Sequence, residues 1–389
     1  VQRAYGLDRL HRAGIDGRGT LVAIIMSPAA GLRASLAMQS REYGLPAADL
    51  RIARPAGDPG PPGTGAAAAE GTLDTQSVHL AAPRARILYL EVPAPALARA
   101  VLGDRQVAAA VDAAVRARAD VISISAGGVE RPYRALRRAI ARAAAAGIPV
   151  VAGSGDDGAT LPGLRGRAVS YPASDPNVTG VGGTLVTLDA AGRRVRPDVA
   201  WGPDPRGGAS GGGVSRSEAL PEFQRAVRGT LGRTRNVPDI SMLAASSGSL
   251  IVVFAPAAGI GSSMQPIGGT SVAAPLFAGI LALARQRAGR PLLDLNPTLY
   301  RLARHAASNG IVDITVGDNG SVNARGRPVP GYRAKRGYDL VTGLGTVDAP
   351  RLVRALAAAP AGARKPSADR TTPGRTTREP APTGEVPRQ

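Results

Sequence analysis

The chain has 389 residues, 48 Lys and Arg against 29 Asp and Glu, a formal net charge of +19 and no cysteine. The missing thiol excludes a disulfide framework, a thiolate metal site and a cysteine nucleophile. No apolar run approaches the roughly 20 residues of a membrane helix, and the charge sits on arginines scattered among Ala, Gly and Pro, with Lys335 and Lys365 the sole lysines, a pattern that predicts a solvated basic surface and no nucleic-acid groove.

In chain order, the turn residues Asp16-Gly17-Arg18-Gly19 precede a short apolar run at 21–25, which reads as a buried strand. Similar runs recur at 86–90, 121–125 and 149–152, and between them Ala-rich stretches at 108–117 and 133–146 have helical spacing. Strand and helix alternate, so an α/β domain with a central, mainly parallel sheet flanked by helices is expected over residues 1–360. Chemistry in such a sheet belongs at the carboxyl ends of its strands. Two Pro- and Gly-rich loops, at 54–65 and 207–213, are candidate rims of a cleft or plain connectors. Residues 361–389 are rich in Pro, Thr, Arg and Gly without aliphatic periodicity, and predict a disordered tail. The chain starts at Val1 with no signal-like apolar segment, as a trimmed or processed form would.

Ser271 stands in Gly268-Gly269-Thr270-Ser271-Val272-Ala273-Ala274-Pro275, small residues leading into an apolar helix. A serine at a helix N-terminus meets the positive end of the dipole, a suitable seat for a nucleophile and equally for an N-cap. A nucleophilic serine needs a base. Glu70 and Asp74, in Glu70-Gly71-Thr72-Leu73-Asp74, are four apart and share a helix face, close enough to share a proton; acids favoured by the dipole of a first turn are the alternative. Asp156 follows a strand in Gly153-Ser154-Gly155-Asp156-Asp157-Gly158, where turn chemistry alone also favours Asp and Gly.

Taken together, these stretches resemble the sedolisins, the serine-carboxyl peptidases of subtilisin-like fold, and in particular their kumamolisin-type members. Gly-Thr-Ser-x-x-x-Pro is the nucleophile motif shared with the subtilisins, but no histidine stands in a His-Gly-Thr-His context, and Glu70 and Asp74 occupy that place. The resemblance implies a subtilisin-like three-layer fold, Ser271 as nucleophile, Glu70 as base, Asp74 as its partner and Asp156 as oxyanion donor. Because an aspartate donates only while protonated, it also implies activity in acid. Residues 121–128 resemble the strand that lays out the substrate backbone, with Ser125, Ala126 and Gly127 as substrate-binding positions. Ser210 to Ser215 after Trp201, and Val237-Pro238-Asp239-Ile240, match further family stretches.

Near the end, Val312-Asp313-Ile314-Thr315 and Gly337-Tyr338-Asp339 resemble the family's calcium site. The resemblance implies one structural Ca2+ held by Asp313 and Asp339, with carbonyls from Ile314, Lys335 and Gly337, where Lys335 replaces a glycine. It further implies a monomer that acts on peptides or proteins outside the cell, on neither nucleic acid nor membrane, after an N-terminal propeptide is removed. Met26 and Ala126 depart from the family, which commonly carries an acid and a tryptophan there, so a rebuilt support for the carboxyl pair is expected. An acid endopeptidase is the reading chosen; a tripeptidyl-type exopeptidase and an inactive, peptide-binding scaffold are the alternatives.

Overall fold

The computed structural model describes residues 1–360 except 98–102, 204–206, 226, 249, 256–257, 260–263 and 324, so the expected tail at 361–389 lies outside the described residues. Seven parallel strands form the centre: β1 (Leu21–Met26), β2 (Asp49–Ala53), β3 (Arg86–Glu91), β4 (Val121–Ile124), β5 (Val150–Gly153), β6 (Val178–Leu185) and β7 (Ile240–Leu243). Their spatial order is β7-β6-β5-β4-β1-β3-β2, and Val199–Ala200 adds an antiparallel strand beside β6. The four runs expected from sequence are β1, β3, β4 and β5, displaced by one residue at most at each end.

Every residue of β1, β4 and β5 is buried, as strands covered on both faces must be. Two helix pairs supply the cover, and α1 (Leu32–Glu42) packs beside the second of them. In α3 (Asp104–Arg116), Val107, Ala108, Ala110, Val111 and Ala114 recur at helical spacing and are buried against α4 (Arg134–Ala145), whose own buried stripe is Leu136, Ala139, Ile140 and Ala143. The other pair is α2 (Ala66–Ala81) and α5 (Thr270–Ala288); α5 runs along β1, β4, β5, β6 and β7, and α2 lies beside it. A Cβ on Gly279 of α5 would stand 2.5 Å from the Ala81 Cβ of α2, so these two helices meet at near-backbone contact. That contact fixes α2, which carries Glu70 and Asp74, relative to α5, which begins at Thr270-Ser271.

Candidate active site

Helix α2 is the first support of the site. The loop before it is tied to the end of β1, with Gly63 N donating to the Pro28 carbonyl at 3.0 Å and Ala30 N to the Gly63 carbonyl at 2.9 Å. The helix starts at Ala66, a turn earlier than Glu70, and has no acid in its first turn. Glu70 and Asp74 are therefore not dipole-stabilised first-turn acids, since that effect fades beyond the first turn. Glu70 is partly buried and faces the cleft.

Asp74 is wholly buried. Its Oδ1 accepts a hydrogen bond from Ser125 Oγ at 2.6 Å, while its Oδ2 is buried with no hydrogen-bond partner among the described residues. Burial pushes the Asp74 carboxyl well above its usual range, and the nearby Glu70 pushes it further, with the Ser125 bond opposing both. A carboxyl raised in this way takes up a proton more readily than a free one, and Oδ2 is the oxygen left open for it.

Ser271 is the second residue of α5 and sits at 9% exposure. It is not the N-cap: Gly269 occupies that position, at φ 125, and has no side chain with which to cap the helix. The first amides of a helix have no partner within it, so the Ser271 N–H belongs to the group of donors open to an oxyanion.

Asp156 follows β5 in a loop that several contacts hold rigid. Ser154 Oγ donates to the Gly211 carbonyl at 2.6 Å, Gly211 N donates to the Gly155 carbonyl at 2.7 Å, and Ala209 N to the Asp156 carbonyl at 2.9 Å. The 207–213 segment is thus a brace behind Asp156, and a Cβ on Gly211 would fall 2.2 Å from the Ser154 carbonyl oxygen. Asp156 Oδ1 accepts from Thr270 N at 2.7 Å and from Thr270 Oγ1 at 2.8 Å. Oδ2 lies beside Gly269, 3.0 Å from where a Cβ would be. One carboxylate oxygen therefore anchors the start of α5, and the other lies beside Gly269, two residues before Ser271.

Glu70, Asp156 and Ser271 line one cleft of about 200 Å³ with Ser125, Ala126 and Gly127, at the carboxyl ends of β1, β4 and β5. Met26, Leu97, Leu161, Pro162 and Ser170 complete its walls. A larger groove of about 1020 Å³ opens by Val150 and Thr179, at the opposite ends of β5 and β6, and includes none of these chemical groups. We place the chemistry in the smaller cleft, where the residues are. Strand β4 has no open edge, being paired with β1 and β5, so only residues 125–127 beyond it face the cleft. A Cβ on Gly127 would meet Ser170 Oγ at 2.2 Å, which makes glycine the residue that fits this wall.

No histidine is among the described residues that line the cleft. His79 lies one turn beyond Thr75 on α2, fully buried, with Nε2 3.1 Å from Ser40 Oγ. His11 Nε2 is 2.8 Å from the Ala81 carbonyl oxygen.

The second candidate site is a loop pair. Asp313 Oδ2 accepts from Gly337 N at 2.9 Å, and Asp339 Oδ2 accepts from Lys335 N at 3.1 Å, so the two aspartates hold the same turn. Among the described residues the carbonyls of Ile314, Lys335 and Gly337 accept no backbone hydrogen bond. Two carboxylates and three uncommitted carbonyls suit a hard cation that takes six to eight oxygens. Lys335 is exposed and outside the left-handed region, unlike Gly337 at φ 81, so a lysine in place of glycine costs this turn nothing.

Comparison with known proteins agrees with this arrangement. The Subtilase family model (Peptidase_S8) matches residues 58–326, a span containing Glu70, Asp74, Asp156 and Ser271. Kumamolisin of Bacillus sp. (strain MN-32) is 34% identical over 366 residues, 88% of this chain and 61% of that protein. Tripeptidyl-peptidase 1 of Homo sapiens is 33% identical over 256 residues, 61% of this chain and 41% of that protein. The chain thus spans 61% or less of the length of these curated relatives. Among solved structures, Pseudomonas sedolisin, a serine-carboxyl proteinase complexed with pseudo-iodotyrostatin, superposes with a TM-score of 0.74 at 29% identity, over 87% of this chain and 92% of that one. With this fold and a carboxyl pair where a histidine base would stand, the chain belongs to the subtilase family of peptidases and, within it, to the sedolisins.

Proposed function

We propose that this protein is a serine-carboxyl endopeptidase that cleaves peptide bonds in acid. The observation that carries the reading is the buried Asp74 carboxyl, one oxygen held by Ser125 and the other without a partner, one helical turn from the cleft-facing Glu70. Ser271 attacks the scissile carbonyl, and Glu70 takes its proton while Asp74 holds Glu70 in its working state. The oxyanion forms between the Ser271 main-chain amide and a protonated Asp156 Oδ2, with Oδ1 occupied by Thr270. Collapse of the intermediate passes the proton from Glu70 to the leaving amine, and water then resolves the acyl-enzyme by the reverse traffic. Residues 125–127 offer the main chain on which a peptide lies extended.

Asp313, Asp339 and the carbonyls of Ile314, Lys335 and Gly337 hold a calcium ion in this reading, and the ion would supply the charge that closes their loop. The test is hydrolysis of a quenched peptide library by the parent and by Ser271→Ala, with product sizes read by mass spectrometry. Internal cleavage by the parent alone supports the reading. Release of tripeptides alone would replace it with the exopeptidase, and a folded parent without turnover at any pH would replace it with the peptide-binding scaffold.

A further inference from the structure

Tyr89 lies behind the carboxyl pair and is absent from every motif discussed above. It is on β3, opposite Ile24 of β1, and is completely buried. Its hydroxyl donates to the carbonyl of Ser27, the first residue past β1, at 2.6 Å. The same oxygen touches α2 at Gly71: a Cβ there would stand 2.4 Å from Tyr89 Oη and 2.7 Å from the Ala29 Cβ. Gly71 is the residue after Glu70, three before Asp74, inside the helix and outside the left-handed region. Glycine inside a helix costs about 0.5–1 kcal/mol relative to alanine. Its presence is explained by close approach, since the phenol oxygen and Ala29 fill the space a side chain would take.

We propose that Tyr89 is a positioning residue for the carboxyl pair, its hydroxyl gauging the height of α2 over the sheet by bridging the Ser27 carbonyl and the Gly71 backbone. The proposal rests on the reading of Glu70 and Asp74 as the proton-handling pair. The charged groups around the phenol are Asp74 and Glu70 on α2 and Glu91 on β3 itself, the last ion-paired with Arg54 at 2.9 Å. Burial first, and then the carboxyls of Asp74, Glu91 and Glu70, push the phenol well above its usual range, so it stays a neutral donor with its proton committed to Ser27. Without the hydroxyl, α2 settles toward the sheet and withdraws Glu70 from Ser271. Of the cleft residues 125–127 only Ser125 is bonded to α2 by a side chain, through Asp74, so substrate binding changes little.

The experiment compares Tyr89→Phe, Gly71→Ala and the double variant with the parent, reading kcat, KM and the thermal midpoint on one peptide substrate. Misplacement by about an ångström costs on the order of a hundredfold, so a partial shift predicts a kcat fall of about tenfold in Tyr89→Phe with KM within about twofold. Gly71→Ala, which pushes the same contact from the other side and also meets the Ala29 Cβ, lowers kcat at constant KM, and the double variant is no worse than Gly71→Ala alone because the missing oxygen relieves the closer of the two clashes. Parental kcat in Tyr89→Phe overturns the proposal. A kcat loss that tracks the thermal midpoint, with the two single effects simply multiplying, also overturns it. The parent and Ser271→Ala are run alongside: an inactive parent defeats the peptidase reading, whereas an active parent matched by Tyr89→Phe defeats only the role of Tyr89.

Discussion

Ser125 Oγ donates to Asp74 Oδ1 at 2.6 Å, joining the loop after β4 to the carboxyl pair on α2. Ser125 thus does two things from one residue, lining the cleft and orienting the buried acid. Ser125→Ala leaves a buried carboxyl oxygen unsatisfied, which costs about 1–3 kcal/mol. We expect kcat to fall roughly tenfold or more by the same principle, and the alkaline limb of the pH profile to move upward. The sign follows from the bond, which favours the ionised form and whose loss raises Asp74 further. A profile unmoved in Ser125→Ala would show that Asp74 does not govern the limb.

Asp156 is tied to Thr270 through Oδ1 and leaves Oδ2 beside Gly269. An asparagine can keep the same anchor with its oxygen and offer an N–H in place of the acid's proton. Asp156→Asn is therefore expected to retain turnover, since it keeps both the anchor and a donor. Asp156→Ala removes donor and anchor together, and loss of one oxyanion donor costs about 10²–10³ in kcat. Steady-state kinetics across pH on both variants distinguishes donor from anchor.

How far the sequence reached differs from part to part. The strands β1, β3, β4 and β5 were readable because apolar, β-branched runs bounded by turn residues leave few alternatives. Ser271, Asp156, Glu70 and Asp74 stood out in the sequence because each lies in a short, contiguous stretch, and the fold brings Glu70, Asp156 and Ser271 to one cleft. Ser125 was legible as a cleft residue but not as Asp74's partner, because that bond spans 51 positions and depends on how α2 lies against the central sheet. Tyr89 had no local signal; its role comes from a parallel register with β1 and from a glycine 18 residues earlier whose missing Cβ only the fold reveals. The alternative of Glu70 and Asp74 as first-turn acids fell because the helix begins at Ala66, and an Ala-rich run carries no cap or charge to mark its start.

His79 sets an acid boundary on stability. Burial pushes its imidazole from 6.5 down to about 4, outweighing a contact with the Pro46 main chain. The unfolded chain takes up the proton near pH 6.5 and the fold only near 4, so stability falls as pH falls through that window and the loss is complete below it. The span corresponds to about 3 kcal/mol. Asp74 acts in the opposite sense: its raised carboxyl favours the fold at low pH, and that contribution is lost as pH rises through the raised value. In His79→Gln the decline of the thermal midpoint between pH 6.5 and 4 should flatten, and an unchanged slope would assign the acid limit to other groups.

Asp339 is buried, and its carboxyl is raised by that burial against the hydrogen bonds of Thr342, Val341 and Lys335. A cation on this carboxylate would favour its ionised form. If calcium binds here, removing it with a chelator lowers the thermal midpoint by several degrees, and added calcium restores it. Asp313→Asn should abolish that response while leaving the chelated midpoint nearly unchanged, because Asp313 is exposed and an asparagine oxygen can still accept from Gly337 N. A midpoint indifferent to calcium would leave the loop as a hydrogen-bonded turn alone.

The most direct test of the whole account is the pH dependence of kcat/KM for the parent, Glu70→Gln and Ser271→Ala on one internally quenched peptide. The account predicts a parent profile with its optimum in acid, turnover abolished in Ser271→Ala, and a loss of several powers of ten in Glu70→Gln at every pH. An optimum above neutrality that survives Glu70→Gln and disappears when His79 or His11 is replaced would contradict it.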